Sequence, residues 1–267
     1  MAQEESEIMS AYTVVFDDLV HLGPGDSVTT RDLAERLCPD LPLGSRVADF
    51  GCGVGASALV LAQSLPKAHV LALDSHAPFI ERLEIAANTH GLGERINAVV
   101  GDMLDPPSLD GVVGEFDLIW SESAIYSIGR TTAFTHWRPL LKPGGWLVFS
   151  DVVWQCEPTK RSDEASVFWE KEYPDIATAD SIIDELTSAG FTPLDPVQCG
   201  RKPWSNYYEP LRDRLCLLAK RPSRPQALVD LIAELEREID VYDRAGDNVA
   251  LFFFIARSSL NFRIDNQ

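Results

Sequence analysis

Residues 47 to 62 read VADFGCGVGASALVLA, with three glycines in five positions between an apolar run of strand length and an apolar run of helix length. Glycine at alternate positions strips side chains from a strand-to-helix turn, so that a ligand can lie against bare backbone. A pyrophosphate would use such a turn through G-x-G-x-x-G, a spacing that Gly51, Gly53 and Ala56 satisfy with alanine in third place. Asp49 argues against that ligand: a carboxylate two residues before the first glycine sits at the carboxyl end of the first strand and favours a cation. The second strand-like run ends in Asp74, suited to accept hydrogen bonds from both hydroxyls of a ribose. The third ends in Gly101, Asp102 and Met103, which offer a carboxylate to an exocyclic amine and a soft apolar face to a base ring. The fourth runs into WSESAIYSIG (120–129) and leaves Glu122 and Tyr126 just past its end. Glu122 is the best base candidate in the chain, the alternative being a carboxylate engaged by backbone or by a ligand ammonium. Tyr126 reads as pocket wall before proton carrier, and these two are the catalytic candidates. Cys52 is read as a small filler and His136 as a surface or packing histidine.

Positioning these groups requires strands that alternate with helices. Strand-length runs occur at 46–50, 69–74, 96–101, 116–121 and 146–154, separated by helix-length segments at 56–66, 77–91 and 130–141. That alternation predicts right-handed crossovers and a parallel sheet. KPGG at 142–145 reads as a breaker before the fifth strand. Residues 3–22 and 28–38 read as amphipathic helices covering one side of the sheet, the second capped by Thr29 or Thr30. A helix at 178–189, a sixth strand near 191–199, helices at 205–222 and 225–244 and a buried last strand at 249–258 complete the chain. The fifth strand ends near Trp154, and Trp169, Tyr173, Trp204, Tyr207 and Tyr208 enrich the later segments in rings, in stretches otherwise polar enough to be loops. They are read either as an acceptor pocket or as fastenings of those segments to the sheet. The expected fold class is α/β: a Rossmann-like, seven-stranded, mostly parallel sheet with helices on both faces and an antiparallel last strand. The expected domains are an N-terminal helical cap (1–45) and a main domain (46–267), with 200–248 a helical insertion between the last two strands.

The 267 residues carry 41 Asp and Glu against 23 Lys and Arg, a net charge of -18. That field repels phosphate backbones and anionic headgroups, so nucleic acid and membrane surfaces are not expected partners. Five cysteines, an odd number with no C-x-x-C pair, fit a reduced cytoplasm better than a disulfide framework or a zinc site. The acidic start MAQEESEIMS is unlike a signal peptide, and no apolar run approaches the roughly 18 residues of a membrane span.

In order, DFGCGVG, LALD, GDM, FDLIWSE and LLKPGGWLVFSD resemble the successive motifs of class I S-adenosylmethionine-dependent methyltransferases over residues 45–155. The similarity is greatest to the small-molecule branch related to quinone- and sterol-methylating enzymes, often called methyltransferase type 11. The resemblance implies S-adenosyl-L-methionine as cofactor. Gly51, Gly53 and Gly55 would approach its methionine part, Asp49 its ammonium, Asp74 its ribose, and Asp102 and Met103 its adenine. Ser121 or Glu122 would close the methionine side. No N/D-P-P-Y/F motif of nucleic-acid amino methylation follows the fourth strand, and Asp151 stands alone where metal-dependent relatives carry an acidic pair with asparagine, so no metal is expected. The partner that remains is a small organic acceptor, methylated on oxygen or nitrogen, with a homodimer left open. Rival readings are a nicotinamide-dependent oxidoreductase and a non-catalytic S-adenosylmethionine-binding regulatory protein.

Overall fold

The computed structural model describes residues 2–106 and 114–259; the end of the expected main domain, 260–267, lies outside them. Five parallel strands, β1 (Arg46–Phe50), β2 (His69–Asp74), β3 (Ile96–Val100), β4 (Phe116–Ser121) and β5 (Leu141–Trp154), form the centre of one sheet. Two-residue β6 (Ala177–Thr178) pairs with the end of β5. Short β7 (Phe191–Pro193) and β8 (Val197–Gln198) pair with β9 (Val249–Ser258), which runs antiparallel to β5. The spatial order is β3-β2-β1-β4-β5-β9-β7. The seven-strand expectation thus holds along this path, with β6 and β8 as extra pairings and the expected sixth strand divided between β7 and β8.

Helices α1 (Ala2–Phe16), α2 (Ser27–Leu37), α3 (Ala56–Ser64), α4 (Ala77–Thr89), α5 (Arg130–Trp137), α6 (Asp163–Glu172), α7 (Ala179–Ser188), α8 (Lys202–Ala219) and α9 (Gln226–Ala245) surround the sheet. Alternate residues of each strand feed two apolar layers. In β1, Val47 faces the layer of Leu61 and Leu83, from α3 and α4, whereas Ala48 and Phe50 face Phe134 and Trp137 of α5 and Ile182 of α7. Trp137 and Phe149 are fully buried, and Phe149 stacks on Phe254 at 5.2 Å. Each such side chain removed from water contributes about 1.5–3 kcal/mol.

Several expected boundaries move, for identifiable reasons. The first helix ends at Phe16 and not near 22: Asp18 adopts a left-handed φ of 65°, and the Arg82 guanidinium donates to the carbonyls of Phe16 and Leu19 at 2.8 and 2.7 Å. The main packing partners of α1 are α9 and α8. The cap of α2 is Asp26, which accepts from Thr29 N, and not Thr29 or Thr30. KPGG does not delay β5. It enters the strand with Gly144 at φ 76° and a register shift in the pairing with β4. Trp169 lies on α6 and Trp204 in the first turn of α8, both buried, so these rings, expected in loops, belong to helices, while Tyr207 and Tyr208 lie buried on α8 within the helix expected at 205–222.

Candidate active site

The turn after β1 is held from the neighbouring strand. Gly51 N and Cys52 N both donate to Leu73 O, at 2.8 and 3.0 Å, and Gly53 N donates to Asp74 Oδ2 at 2.9 Å. His76 N donates to Asp74 Oδ1 at 2.9 Å. Two backbone donors therefore orient the Asp74 carboxylate, which retains acceptor capacity on both oxygens. Gly51 and Gly53 face a cavity of about 440 Å³ at the carboxyl ends of the strands, whose wall also includes Asp74, Phe79, Met103 and Glu122.

The other expected residues divide. Asp49 is fully buried on the α3 side of β1 and is not on the cavity wall. Ser57 Oγ donates to its Oδ2 at 2.6 Å, whereas its Oδ1 is buried without a hydrogen-bond partner. Burial, reinforced by the charges of Glu122 and Asp74, raises its pKa to about 8 against the Ser57 hydrogen bond. Gly55, with φ 89°, begins α3, and a Cβ there would lie 2.1 Å from Leu83 Cδ1, so its bareness serves helix packing. The Asp102 carboxylate accepts from Leu104 N at 2.9 Å in a turn and does not line the cavity. Ser121 is fully buried, and its hydroxyl donates to Phe50 O at 2.9 Å, tying β4 to β1. Met103 lines the cavity, and its carbonyl accepts from Trp137 Nε1 at 2.8 Å.

Glu122 has one partner close in sequence and one far from it. Its Oε1 accepts from Trp120 Nε1 at 2.8 Å and from Thr30 Oγ1, 92 positions away, at 2.7 Å. Beside it, Ser123 Oγ donates to Pro24 O at 2.8 Å, so the end of β4 fastens the loop between α1 and α2 over the cavity. Burial lifts the Glu122 pKa to about 7 against those two hydrogen bonds. Tyr126, on the short 3₁₀ turn Ile125–Ser127, lines the cavity with its ring 6.0 Å from that of Tyr173. Although the residue as a whole is 54 % exposed, desolvation by its neighbours and then the nearby Tyr12, Glu238 and Glu234 raise its phenol above the ordinary value.

The rest of the wall lies beyond the sequence motifs. His21 to Gly25, Tyr12 of α1, and Glu234, Leu235 and Glu238 of α9 close the cavity from above. HLGPGD at 21–26 was the available signal for a break, and Glu234 and Glu238, like charges one helical turn apart, were a signal of a special environment. Asp151 also reaches the wall, from a buried network in which Arg130 Nη1 and the Tyr173 hydroxyl donate to its Oδ2 at 3.0 and 2.7 Å. Burial raises its pKa to about 6 even though Arg130 pulls the other way.

Comparison with known proteins is consistent with this architecture. Residues 47–145 match the family model described as methyltransferase domain. Malonyl-[acyl-carrier protein] O-methyltransferase of Herminiimonas arsenicoxydans is 27% identical over 180 residues, 67% of this chain and 64% of that protein. Phosphoethanolamine N-methyltransferase of Triticum aestivum is 27% identical over 168 residues, 62% of this chain and 31% of that one. The chain thus spans less than two thirds of either relative. A crystal structure of an S-adenosylmethionine-dependent methyltransferase from Geobacter sulfurreducens, in complex with S-adenosyl-L-homocysteine, superposes with a TM-score of 0.78 at 16% identity. It covers 92% of this chain and 97% of that one, a likeness of fold. The sheet order and the glycine turn thus agree with the matched segment: residues 47–145 are similar to a methyltransferase domain, and the chain shares the fold of that S-adenosylmethionine-dependent enzyme.

Proposed function

We propose that this chain transfers a methyl group from S-adenosyl-L-methionine to a small organic acceptor. The observation that carries the reading is the bare turn, with Gly51 and Gly53 on the wall of the cavity and Asp74 oriented beside them. The residues present fit the cofactor. Asp74 retains lone pairs for ribose hydroxyls, Phe79 and Met103 supply apolar surface for a base, and the orphaned Asp49 Oδ1 beneath the turn offers a hydrogen-bond acceptor to an ammonium through an intervening water. Asp102, engaged by Leu104 N, is left out of the set.

Bound there, the cofactor supplies an electrophilic methyl group on a sulfonium. The protein's task is then to hold the acceptor in line and to exclude water. The loop at 21–25 and helices α1, α8 and α9 line the outer side of the cavity; Ser123 holds that loop through Pro24, and Glu122 holds the start of α2 behind it through Thr30. Glu122 therefore acts first as a positioning residue. With Oε1 engaged by Thr30 and Trp120, Oε2 is the oxygen left to receive an acceptor proton, and a pKa of about 7 suits a base near neutral pH. Tyr126 bounds the acceptor. The two relatives above are named for methylation on oxygen and on nitrogen, so the reaction comes from the domain and the acceptor from the covering elements.

The test is incubation with S-adenosyl-L-methionine and a mixed pool of small metabolites. Steady release of S-adenosylhomocysteine, over many equivalents per chain, is the expected outcome. Tight cofactor binding without release would identify a cofactor-binding protein without turnover.

A further inference from the structure

The two ends of the cavity differ in chemistry. Away from the glycine turn the wall is built by Tyr12, Tyr126, Trp169, Tyr207, Glu234 and Glu238. Tyr207 is buried, whereas Tyr12 and Tyr126 are 37 % and 54 % exposed at the cavity mouth; desolvation first, and then the charge of Glu238 among other groups, raises all three phenols. Glu238 Oε1 accepts from the Tyr208 hydroxyl at 2.8 Å. Burial, with Glu234 and Glu172 adding like charge, holds its pKa at about 7. Among the described residues the whole cavity wall carries six carboxylates, Asp74, Glu122, Asp151, Glu172, Glu234 and Glu238, and no lysine or arginine. Its one histidine, His21, is kept below its ordinary pKa by burial.

A second observation is independent of charge. Trp169, 7 % exposed and on this wall, keeps a buried indole N–H without a hydrogen-bond partner. A buried donor left unpaired costs free energy that an acceptor atom on a ligand would recover. Tyrosine and tryptophan faces attract organic cations while burying alkyl or aryl surface, and the half-buried Glu238, with the exposed Glu234 one turn away, favours a cation beside it.

We propose that the lid end of the cavity binds the methyl acceptor as an organic ammonium: Glu238 and Glu234 face the cation, and the rings of Tyr12, Tyr126, Tyr207 and Trp169 enclose its apolar part. An oxygen on the ligand pairs with the Trp169 N–H. Acceptors that bear phosphate or carboxylate are repelled. This rests on the methyl-transfer reading above and adds the class of acceptor to it.

The test uses the full chain saturated with S-adenosylhomocysteine. Calorimetry is run with amines from butylamine to tryptamine, each beside the alcohol and the carboxylate of matching skeleton. At least one amine is expected to bind about 10- to 100-fold more tightly than its alcohol, in line with charge-assisted and cation–π contacts, and its carboxylate not to bind. Glu238→Gln should remove about tenfold of the amine preference and leave S-adenosylhomocysteine affinity unchanged; Glu234→Gln makes the same test if the first variant fails to fold. No amine binding, or no preference over the alcohols, overturns the ammonium proposal while S-adenosylhomocysteine still binds. Failure of S-adenosylhomocysteine itself to bind overturns the methyl-transfer reading instead.

Discussion

Gly51→Ala puts the glycine turn to a quantitative test. Gly51 has φ +71°, a conformation that costs alanine about 1–2 kcal/mol. A Cβ built there would lie 2.3 Å from the Cβ of Ala124, where carbon atoms pack best at about 3.5–4.0 Å. Both atoms are fixed to backbone, so no rotamer change separates them. The turn cannot retreat easily, because Gly51 N and Cys52 N are bonded to Leu73 O at 2.8 and 3.0 Å. Relief must displace the 122–126 segment, which carries Glu122 and Tyr126, and overpacking of this kind costs about 1–3 kcal/mol. The sum is about 2–5 kcal/mol, divided between folding and binding. Urea unfolding should show the stability share at an unchanged slope, and calorimetry with S-adenosylhomocysteine should show at least about a tenfold loss of affinity. Adding Ala124→Gly, corrected for its effect alone in a double-mutant cycle, should recover the steric share and leave about 1–2 kcal/mol. A Gly51→Ala protein within about 0.5 kcal/mol of the original in stability, with its cofactor affinity intact, would refute the reasoning.

Asp74→Ala should weaken S-adenosylhomocysteine binding by about 1–3 kcal/mol, the scale of lost charge-assisted hydrogen bonds; unchanged affinity by calorimetry refutes its role. Glu122 keeps its proton to about pH 7 in the folded chain against an ordinary 4.5. The stability it contributes is therefore complete below 4.5 and is lost as pH rises through 7. Glu122→Gln should reduce the slope of unfolding free energy over that interval, and an unaltered slope counts against the buried, proton-holding carboxyl. Arg130→Met leaves the buried Asp151 without its cation and should destabilise by about 3–5 kcal/mol in chemical denaturation. Adding Asp151→Asn should recover part of the loss, and a milder single effect would show that Asp151 takes up a proton at little cost.

The sequence made the sheet's centre legible because local pattern and global fold agree there: apolar runs of strand length, the first three ended by glycine or aspartate, alternate with helix-length segments as parallel strands require. The turn from Gly51 to Gly53 was legible for the same reason. Elements governed by distant partners were not. Nothing near Phe16 announces that Arg82 will cap its carbonyl, or that Asp26 will outcompete Thr29 and Thr30 as a cap. Asp102 and Gly55 have the residue types and spacing of ligand contacts, yet one closes a turn and the other lets α3 approach Leu83. Glu122 was singled out as a carboxylate past a strand end; that Thr30 shares it could only emerge once the N-terminal loop was folded over the cavity. Most of the cavity's covering wall is written as ordinary amphipathic helix, since a ring facing a ligand and a ring facing a core follow the same period.

A crystal structure of the chain with S-adenosylhomocysteine tests the central claim most directly. The account predicts the nucleoside in the cavity above Gly51 and Gly53, both ribose hydroxyls within hydrogen-bond distance of the Asp74 carboxylate and the sulfur directed toward Tyr126. Occupancy instead of the groove beside Arg46, His69 and Arg95 at the opposite ends of the strands, or a ribose turned away from Asp74, would contradict it.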